Sequence, residues 1–356
     1  MNEEELEDHL EKFCNLFNYL SEKDVFQGFA LKQLAKRLLL EKSHSEDAES
    51  SLITKLKDRC GAHYTSKLSG MITDMKLTKD IQSRFRAHVL DKSDERMSDD
   101  AGTTSVSIGG VDCSVRVLTT GHWPTYQEDK LQLPIELERC VTTFKEFYDV
   151  RTSQRILKWV HSLGKGTMET TAFTGNRKLP KIELQATTYQ MCILMLYNDA
   201  DELTFRQIRE SLGVESDDGS KQSVMSLCKK HPLLVRSAKS KEITDDDVFK
   251  LNVGFAPNRW RISIPVPVAK ISEAEKEATH SSVVEDRKHA IEAAIVRVMK
   301  SKKELEHQQL IAEVSAQLTT IFQPEPRQIK NRVEDLITRE YLERDPDKPS
   351  MYRYLA

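Results

Sequence analysis

The stretch "IEAAIVRVMKSKK" (residues 291–303) holds a primary amine in a defined place. At about 100° per residue in a helix, Ile291, Ala294, Ile295 and Val298 fall on one stripe. Lys300 falls at about 180°, opposite them. An exposed lysine amine is flexible, and it is the group to which ubiquitin-like proteins are attached. The same geometry also describes the solvated lysine of many surface helices. Other candidate chemistry is weaker. Cys228 precedes Lys229, Lys230 and His231, cations that would lower a thiol pKa, but its spacing on an amphipathic helix predicts a core position. "SLGKGT" (162–167) superficially suggests a phosphate loop, yet Gly166 follows Lys165 where that motif needs Ser or Thr. It reads as a helix-ending loop. No G-x-S-x-G or H-E-x-x-H is present, and the ten histidines have no metal-ligand spacing. These residues point away from an enzyme and from any bound metal or cofactor.

The elements that position such residues follow from composition. A chain of 356 residues is long enough for two or three domains, each with its own core. It carries 53 Lys+Arg against 56 Asp+Glu, a formal net charge of −3, which argues against coating nucleic acid by bulk electrostatics. Charged residues at 31%, with 13 Gly and 11 Pro, favour helices. No run of about 18 apolar residues exists, so no membrane helix is expected. The N-terminus "MNEEELEDHLEK" is the reverse of a secretory signal. The six cysteines (14, 60, 113, 140, 192, 228) contain no C-x-x-C pair, so reduced thiols in the cytoplasm and nucleus are expected.

Along the chain, residues 1–90 are helix-patterned. Phe13, Leu16, Phe17 and Leu20 repeat at helical spacing, as do Phe26, Ala30, Leu34 and Leu38, with Asp24 a candidate cap for the second run. Gly61 ends a third. Residues 91–110 read as a polar loop closing on a Gly pair, and "VDCSVRVLTTG" alternates as a strand would. Pro134 opens a long helix. The spacing then predicts strands in "TMETTAF" and "KLPKIELQATT" around the turn "TGNRK". Three helices follow, and then a strand pair in "DVFKLNVGF" and "RWRISIPVPVA". Residues 273–284 read as a polar linker. Three helices and a closing hairpin over 285–356 have the order of a winged helix, and the middle unit echoes it.

A winged helix invites a nucleic-acid-binding alternative. Its third helix carries Arg327, Lys330, Arg332 and Arg339, but also Glu325, Glu334, Asp335 and Glu340, and residues 285–356 hold 13 basic and 13 acidic residues. Docking on phosphates normally needs a basic excess.

"DRKHAIEAAIVRVMKSKKELEH" resembles the segment around the neddylation site of cullins, the scaffolds of RING-type ubiquitin ligases. "EKDVFQGFALKQLAKRLL", "DAESSLITKLKDRCGAHYTSKLSGMITDM", "VRVLTTGHWPT", "ATTYQMCILMLYN" and "YLERDPDKPSMYRYLA" resemble further cullin blocks in cullin order. The resemblance covers essentially the whole chain and corresponds to a cullin's C-terminal half. "SIGGVDCSVRVLTTGHWPT", "SAKSKEI" and the neddylation segment are most similar to cullin-3, which pairs with BTB-domain adaptors. "FQGFALKQL" departs from the family in lacking paired aromatics, and "VRTSQRILKW" in replacing a Ser-Gly-Arg-Lys pattern.

The resemblance implies a mainly α chain with small β content. Its parts are a four-helix bundle over 1–163, an α/β domain with an embedded winged helix over 164–272, a linker over 273–284 and a terminal winged helix over 285–356. It also implies a non-catalytic scaffold whose α/β domain accepts a strand from a zinc-binding RING subunit. That subunit recruits a charged ubiquitin-conjugating enzyme, and proximity raises effective concentration. Lys300 matches the neddylated lysine. Lys32, Lys36 and Arg37 match basic residues that attract the acidic tail of conjugating enzymes by long-range steering. An exchange factor and a deneddylase are further implied partners. The substrate adaptor belongs to the other half of a cullin.

Overall fold

The computed structural model describes residues 3–40, 45–92, 105–126, 130–173, 175, 181–214, 217–237, 242–266 and 273–355. The contacts divide the chain into two units, one of residues 1–76, 118–124 and 271–356, the other of 77–117 and 125–270.

Three helices begin the first unit: α1 (Glu3–Asn18), α2 (Lys23–Leu39) and α3 (Glu46–Lys92), of which residues 46–76 belong here. Alternating three- and four-residue spacing of apolar side chains brings them together. Phe17, Leu56 and Tyr64 are buried against Phe13 and Phe26, with the Phe17 and Phe26 rings edge-on at 5.2 Å. The Tyr64 hydroxyl donates to the Lys23 carbonyl at 2.6 Å. Gly61 adopts φ +85°, a conformation closed to most side chains, and breaks α3 there. Asp24 does not cap α2, whose N-cap is Glu22. Its carboxylate is instead engaged with Arg287. Residues 118–124 join this unit because the buried Asp74 accepts from Thr119 N at 2.7 Å, Thr119 Oγ1 at 2.9 Å and Trp123 Nε1 at 2.8 Å.

In the second unit, α3 continues to Lys92, so the loop expected over 91–110 is shorter at its start. Strands β1 (Val106–Ile108) and β2 (Val111–Cys113) form a hairpin. Gly109 and Gly110 turn it with φ +59° and +86°, the two positive values that a tight two-residue hairpin turn requires. The strand expected to run on to Val117 stops at Cys113. Helix α4 (Ile135–Arg151) follows Pro134. Phe85, Val106, Phe144, Phe147 and Tyr148 make the core between α3, hairpin and α4. The helical region expected over 1–163 is thus shared by both units.

Strands β3 (Lys165–Thr170) and β4 (Ile182–Thr187) pair antiparallel. The turn expected at "TGNRK" lies almost wholly outside the described residues. Then come α5 (Thr188–Met195), β5 (Glu202–Thr204), α6 (Phe205–Leu212), α7 (Asp217–Cys228), β6 (Leu234–Arg236), β7 (Val248–Leu251) and β8 (Arg261–Ser263). The expected pairing of β7 with β8 is not formed. β8 joins β4 in parallel in the sheet β3-β4-β8, while β7 lies between β5 and β6. Two sheets with separate faces bury more apolar surface than one hairpin would, and one core of twenty buried residues, from Leu131 to Ile264, fills the space.

In the first unit the chain finishes with α8 (Glu273–Lys302), β9 (Glu304–Glu306), α9 (His307–Leu318), α10 (Pro326–Thr338), β10 (Leu342–Arg344) and β11 (Met351–Tyr354). The linker expected over 273–284 is helical from Glu273. Ala, Glu and Lys are strong helix formers, and two residues of this polar run, Thr279 and Val283, are buried. Strand β9, not anticipated, pairs with β11, giving the order β10-β11-β9.

Among the described residues no helix is long and apolar enough to cross a membrane.

Candidate functional site

Helix α8 carries the candidate lysine. Ile291, Ala294, Ile295, Val298 and Met299 are buried in a core with residues of α9, α10 and the three terminal strands. Lys300 is exposed on the other side. Its neighbours are occupied: Lys302 Nζ lies 3.2 Å from Glu313 Oε1, and Lys303 Nζ sits 5.1 Å from the centre of the Tyr354 ring. Among the described residues no carboxylate pairs with Lys300. The site is therefore an exposed amine on a helix whose opposite face is buried.

The basic trio on α2 is split by its surroundings. Arg37 is held bidentately by Glu49, at 2.7 and 2.9 Å. Lys32 donates to Thr279 Oγ1 at 2.7 Å. Lys36 is exposed. Sequence spacing put the three on one stretch of helix, while only the structure shows how the first two are used.

Those contacts belong to a seam between α2 and α8 that sequence reasoning missed. Arg287 clamps Asp24, with Nη2 2.9 Å from Oδ1 and Nε 2.5 Å from Oδ2, and reaches Glu22 at 3.4 Å. Its guanidinium also lies 5.0 Å from the Phe322 ring centre. The hydrogen bonds it donates to Asp24 hold Arg287 even more firmly protonated than usual, against the opposing effect of its partial burial. His280 meets Phe29 edge-on at 6.3 Å. Gly28 admits the crossing, since a Cβ there would come 3.2 Å from Thr279 Cγ2.

In the second unit, among the described residues, β3 has a strand neighbour on one side only, and a sheet edge is the kind of place where an added strand can pair. Beside it lies a cleft of about 340 Å³, lined by Met168, Thr170, Phe173, Leu184, Glu136 and Leu137 among others. No sequence signal marked this edge, because pairing across a sheet is not written in local pattern.

The thiol and nucleic-acid readings find no support. Burial pushes the Cys228 thiol up to about 11, leaving little thiolate near neutrality. Around α10 and the terminal strands several basic residues are paired with carboxylates: Arg339 and Arg332 both reach Glu292, at 2.7 and 3.4 Å, and Arg344 pairs with Glu334. Among the described residues no group of three or more His, Cys, Asp or Glu is placed to hold a metal ion.

Three family profiles match in order along the chain: the cullin alpha solenoid domain over residues 1–82, the cullin alpha+beta domain over 117–255 and the cullin protein neddylation domain over 286–348. The chain is 41% identical over its full length to Cullin-1 of Oryza sativa subsp. japonica and 38% to Cullin-2 of Arabidopsis thaliana, covering 45% of each. It is 39% identical to Cullin-4A of Mus musculus over 99% of its length, covering 44% of that protein. The chain thus spans about half the length of the curated relatives it matches. Their near-equal identities span three cullin types and single out none.

Proposed function

The three domains of this chain belong to the cullin family, and from that premise we propose that it is the C-terminal scaffold of a RING-type ubiquitin ligase, activated by attachment of a ubiquitin-like modifier to Lys300. The observation that carries the reading is Lys300 itself, exposed opposite a buried stripe within the residues matched by the neddylation profile.

The chain contributes position rather than bond-making groups. The edge of β3 accepts a strand from the RING-box subunit, and side chains of that strand enter the adjoining cleft. The RING subunit brings the only zinc, and this chain needs no cofactor. A ubiquitin-conjugating enzyme docks through its acidic tail near Lys36, with Lys32 adding positive potential behind it and Arg37, whose charge Glu49 offsets, adding less. Such steering fades as salt rises. Catalysis then comes from effective concentration, since acceptor lysine and ubiquitin thioester are held together. An exchange factor and a deneddylase act on the same scaffold in cytoplasm and nucleus. Substrate adaptors bind the part of a cullin outside the matched half. The cullin-3 likeness of the "SIGGVDCSVRVLTTGHWPT" block makes BTB-domain proteins the proposed adaptors.

The seam between α2 and α8 supplies the regulation. Among the described residues it comprises ion pairs from Arg287 to Asp24 and Glu22, the Lys32–Thr279 hydroxyl contact, the Phe29–His280 ring contact and a glycine crossing, a modest interface. A bulky modifier on Lys300 shifts the terminal winged helix toward the undocked state only as far as it favours that state.

The test is the intact mass of the chain and of Lys300→Arg after incubation with RING subunit and neddylation enzymes. One added modifier on the wild type and none on the variant is expected. No adduct on the wild type, with the RING subunit shown to be bound, removes the proposal.

A further inference from the structure

Just ahead of β8 stands an aromatic residue that the strand's own pattern assigns to the core. Side chains alternate along an extended chain, so Trp260 belongs with Ile262 and Ile264, both buried. Trp260 is nevertheless 55% exposed. Its backbone is fixed to β4, since the Glu183 N–H donates to its carbonyl at 2.7 Å. The indole therefore overhangs the end of the sheet rather than filling it. It is also braced. The Arg261 guanidinium lies 4.9 Å from the ring centre, and Glu183 holds that guanidinium in turn, with Nε 2.5 Å from Oε1 and Nη2 3.1 Å from Oε2. Glu183 is itself only 12% exposed in its side chain, so the brace is anchored in the sheet. A ring fixed in this way loses little freedom when something binds to it.

Trp260 borders an open hollow of about 420 Å³ that Asn258, Arg259 and Arg261 also line. Arg259 is exposed, and among the described residues no carboxylate pairs with it. We propose that this corner is a docking point for an acidic segment of a partner protein, which sets a carboxylate on Arg259 and an apolar side chain against Trp260. Charge selects this occupant. Residues 248–272 carry Lys250, Arg259, Arg261 and Lys270 and not one Asp or Glu. Glu183, a carboxylate that does reach the corner, is already bound to Arg261. Tryptophan and arginine are the residue types that most often dominate the energy of a protein interface, and the arginine fork matches a carboxylate.

Single-stranded nucleic acid also stacks on exposed tryptophan, but it needs a run of cations to follow its backbone. Here Arg261 is committed to Glu183, which leaves Arg259 for the ligand and suits a short acidic contact. β8 closes its sheet on the side away from β3, so an occupant at Trp260 and a strand added at β3 use different edges. The docking point therefore stands or falls apart from the function proposed above.

The experiment uses the whole chain with fluorotryptophan in place of its three tryptophans and follows their fluorine resonances by NMR. Trp260→Phe identifies the resonance of Trp260. The probe is the blocked peptide acetyl-Glu-Glu-Phe-Glu-Glu-amide at millimolar concentration. It is expected to move the Trp260 resonance alone, and less so as salt rises. The counterpart acetyl-Lys-Lys-Phe-Lys-Lys-amide should leave that resonance in place. Arg259→Glu should weaken binding of the acidic peptide by about tenfold or more, while an unchanged resonance from the buried Trp123 reports that the variant is folded. No movement with the acidic peptide would overturn the proposal. So would equal movement with the lysine peptide, or an undiminished response in Arg259→Glu. Movement with oligothymidylate but not with the peptide would overturn it too, and would give the corner to single-stranded nucleic acid.

Discussion

The embedded and terminal winged helices are built on one plan. In each, a short strand leads into two helices and a hairpin whose last strand lies centrally, giving β5-β7-β6 in one and β10-β11-β9 in the other. The correspondence reaches single residues. Phe249 lies opposite Leu203 and Arg236, and Tyr352 lies opposite Leu305 and Arg344. What differs is the helix ahead of each module. Helix α5 has eight residues and buries Tyr189, Gln190, Cys192, Ile193 and Leu194 around its circumference. Helix α8 has thirty residues and one buried stripe. A helix buried all round can only be core, whereas a one-sided helix keeps a face for chemistry. The same topology thus serves as structure in one place and presents Lys300 in the other.

The sharpest way to break this equivalence is at the paired aromatics. Phe249→Ala should cost about 3–5 kcal/mol, the range for emptying a buried aromatic site, measured by urea denaturation. Exchanging the two aromatics should separate the modules. The Tyr352 hydroxyl lies 2.9 Å from His307 Nδ1, so Tyr352→Phe is expected to lose about 0.5–1.5 kcal/mol. Phe249 sits in an apolar core, so Phe249→Tyr buries a hydroxyl without a designed partner and should cost about 1–3 kcal/mol. Equal effects of the two exchanges would mean that the cores are not distinct.

The leading helices offer the next test. Arg287, only 20% exposed in its side chain, pairs with Asp24, 12% exposed. Charge-assisted hydrogen bonds of this kind contribute about 1.5–3 kcal/mol. Arg287→Ala should loosen the α2–α8 seam by that order while leaving the terminal core intact. Hydrogen exchange should then quicken around residues 279–287 and stay unchanged over 307–318. Uniform acceleration across both segments would show that the module and seam open as one body, and would count against regulated undocking.

Much of this plan was legible because it is local. Helical spacing set Lys300 opposite its stripe, and the order of three helices and a closing hairpin was read correctly over 285–356. Strand β9 was missed because "ELE" has one buried residue between two exposed ones, too short a run for periodicity to register. The start of α8 was misread because its buried face needs only a few side chains against α2, so the segment's composition stays polar. β7 and β8 were adjacent in sequence and strand-like, but their partners, β5, β6 and β4, are chosen by long-range packing. Asp24 preceded an apolar run like a cap, and its actual partner lies 263 residues away.

The smallest expected effect probes how each module's first helix begins. Thr204 caps α6 through a reciprocal box with Gln207, whereas Glu306 stands at the equivalent position of α9 with no side-chain cap bond. Thr204→Ala should therefore cost about 1 kcal/mol, and Glu306→Ala only a few tenths. The comparison also predicts a gain. Gln309 follows Glu306 by three residues, the spacing that Gln207 has from Thr204, so Glu306→Thr supplies the missing half of a capping box. A stabilisation of about 0.5–1 kcal/mol in the terminal module is expected, read as a higher urea midpoint with unchanged slope. A neutral result would show that the strand-to-helix corner at 306 differs in backbone from that at 204, and the repeat would then hold for topology but not for detail.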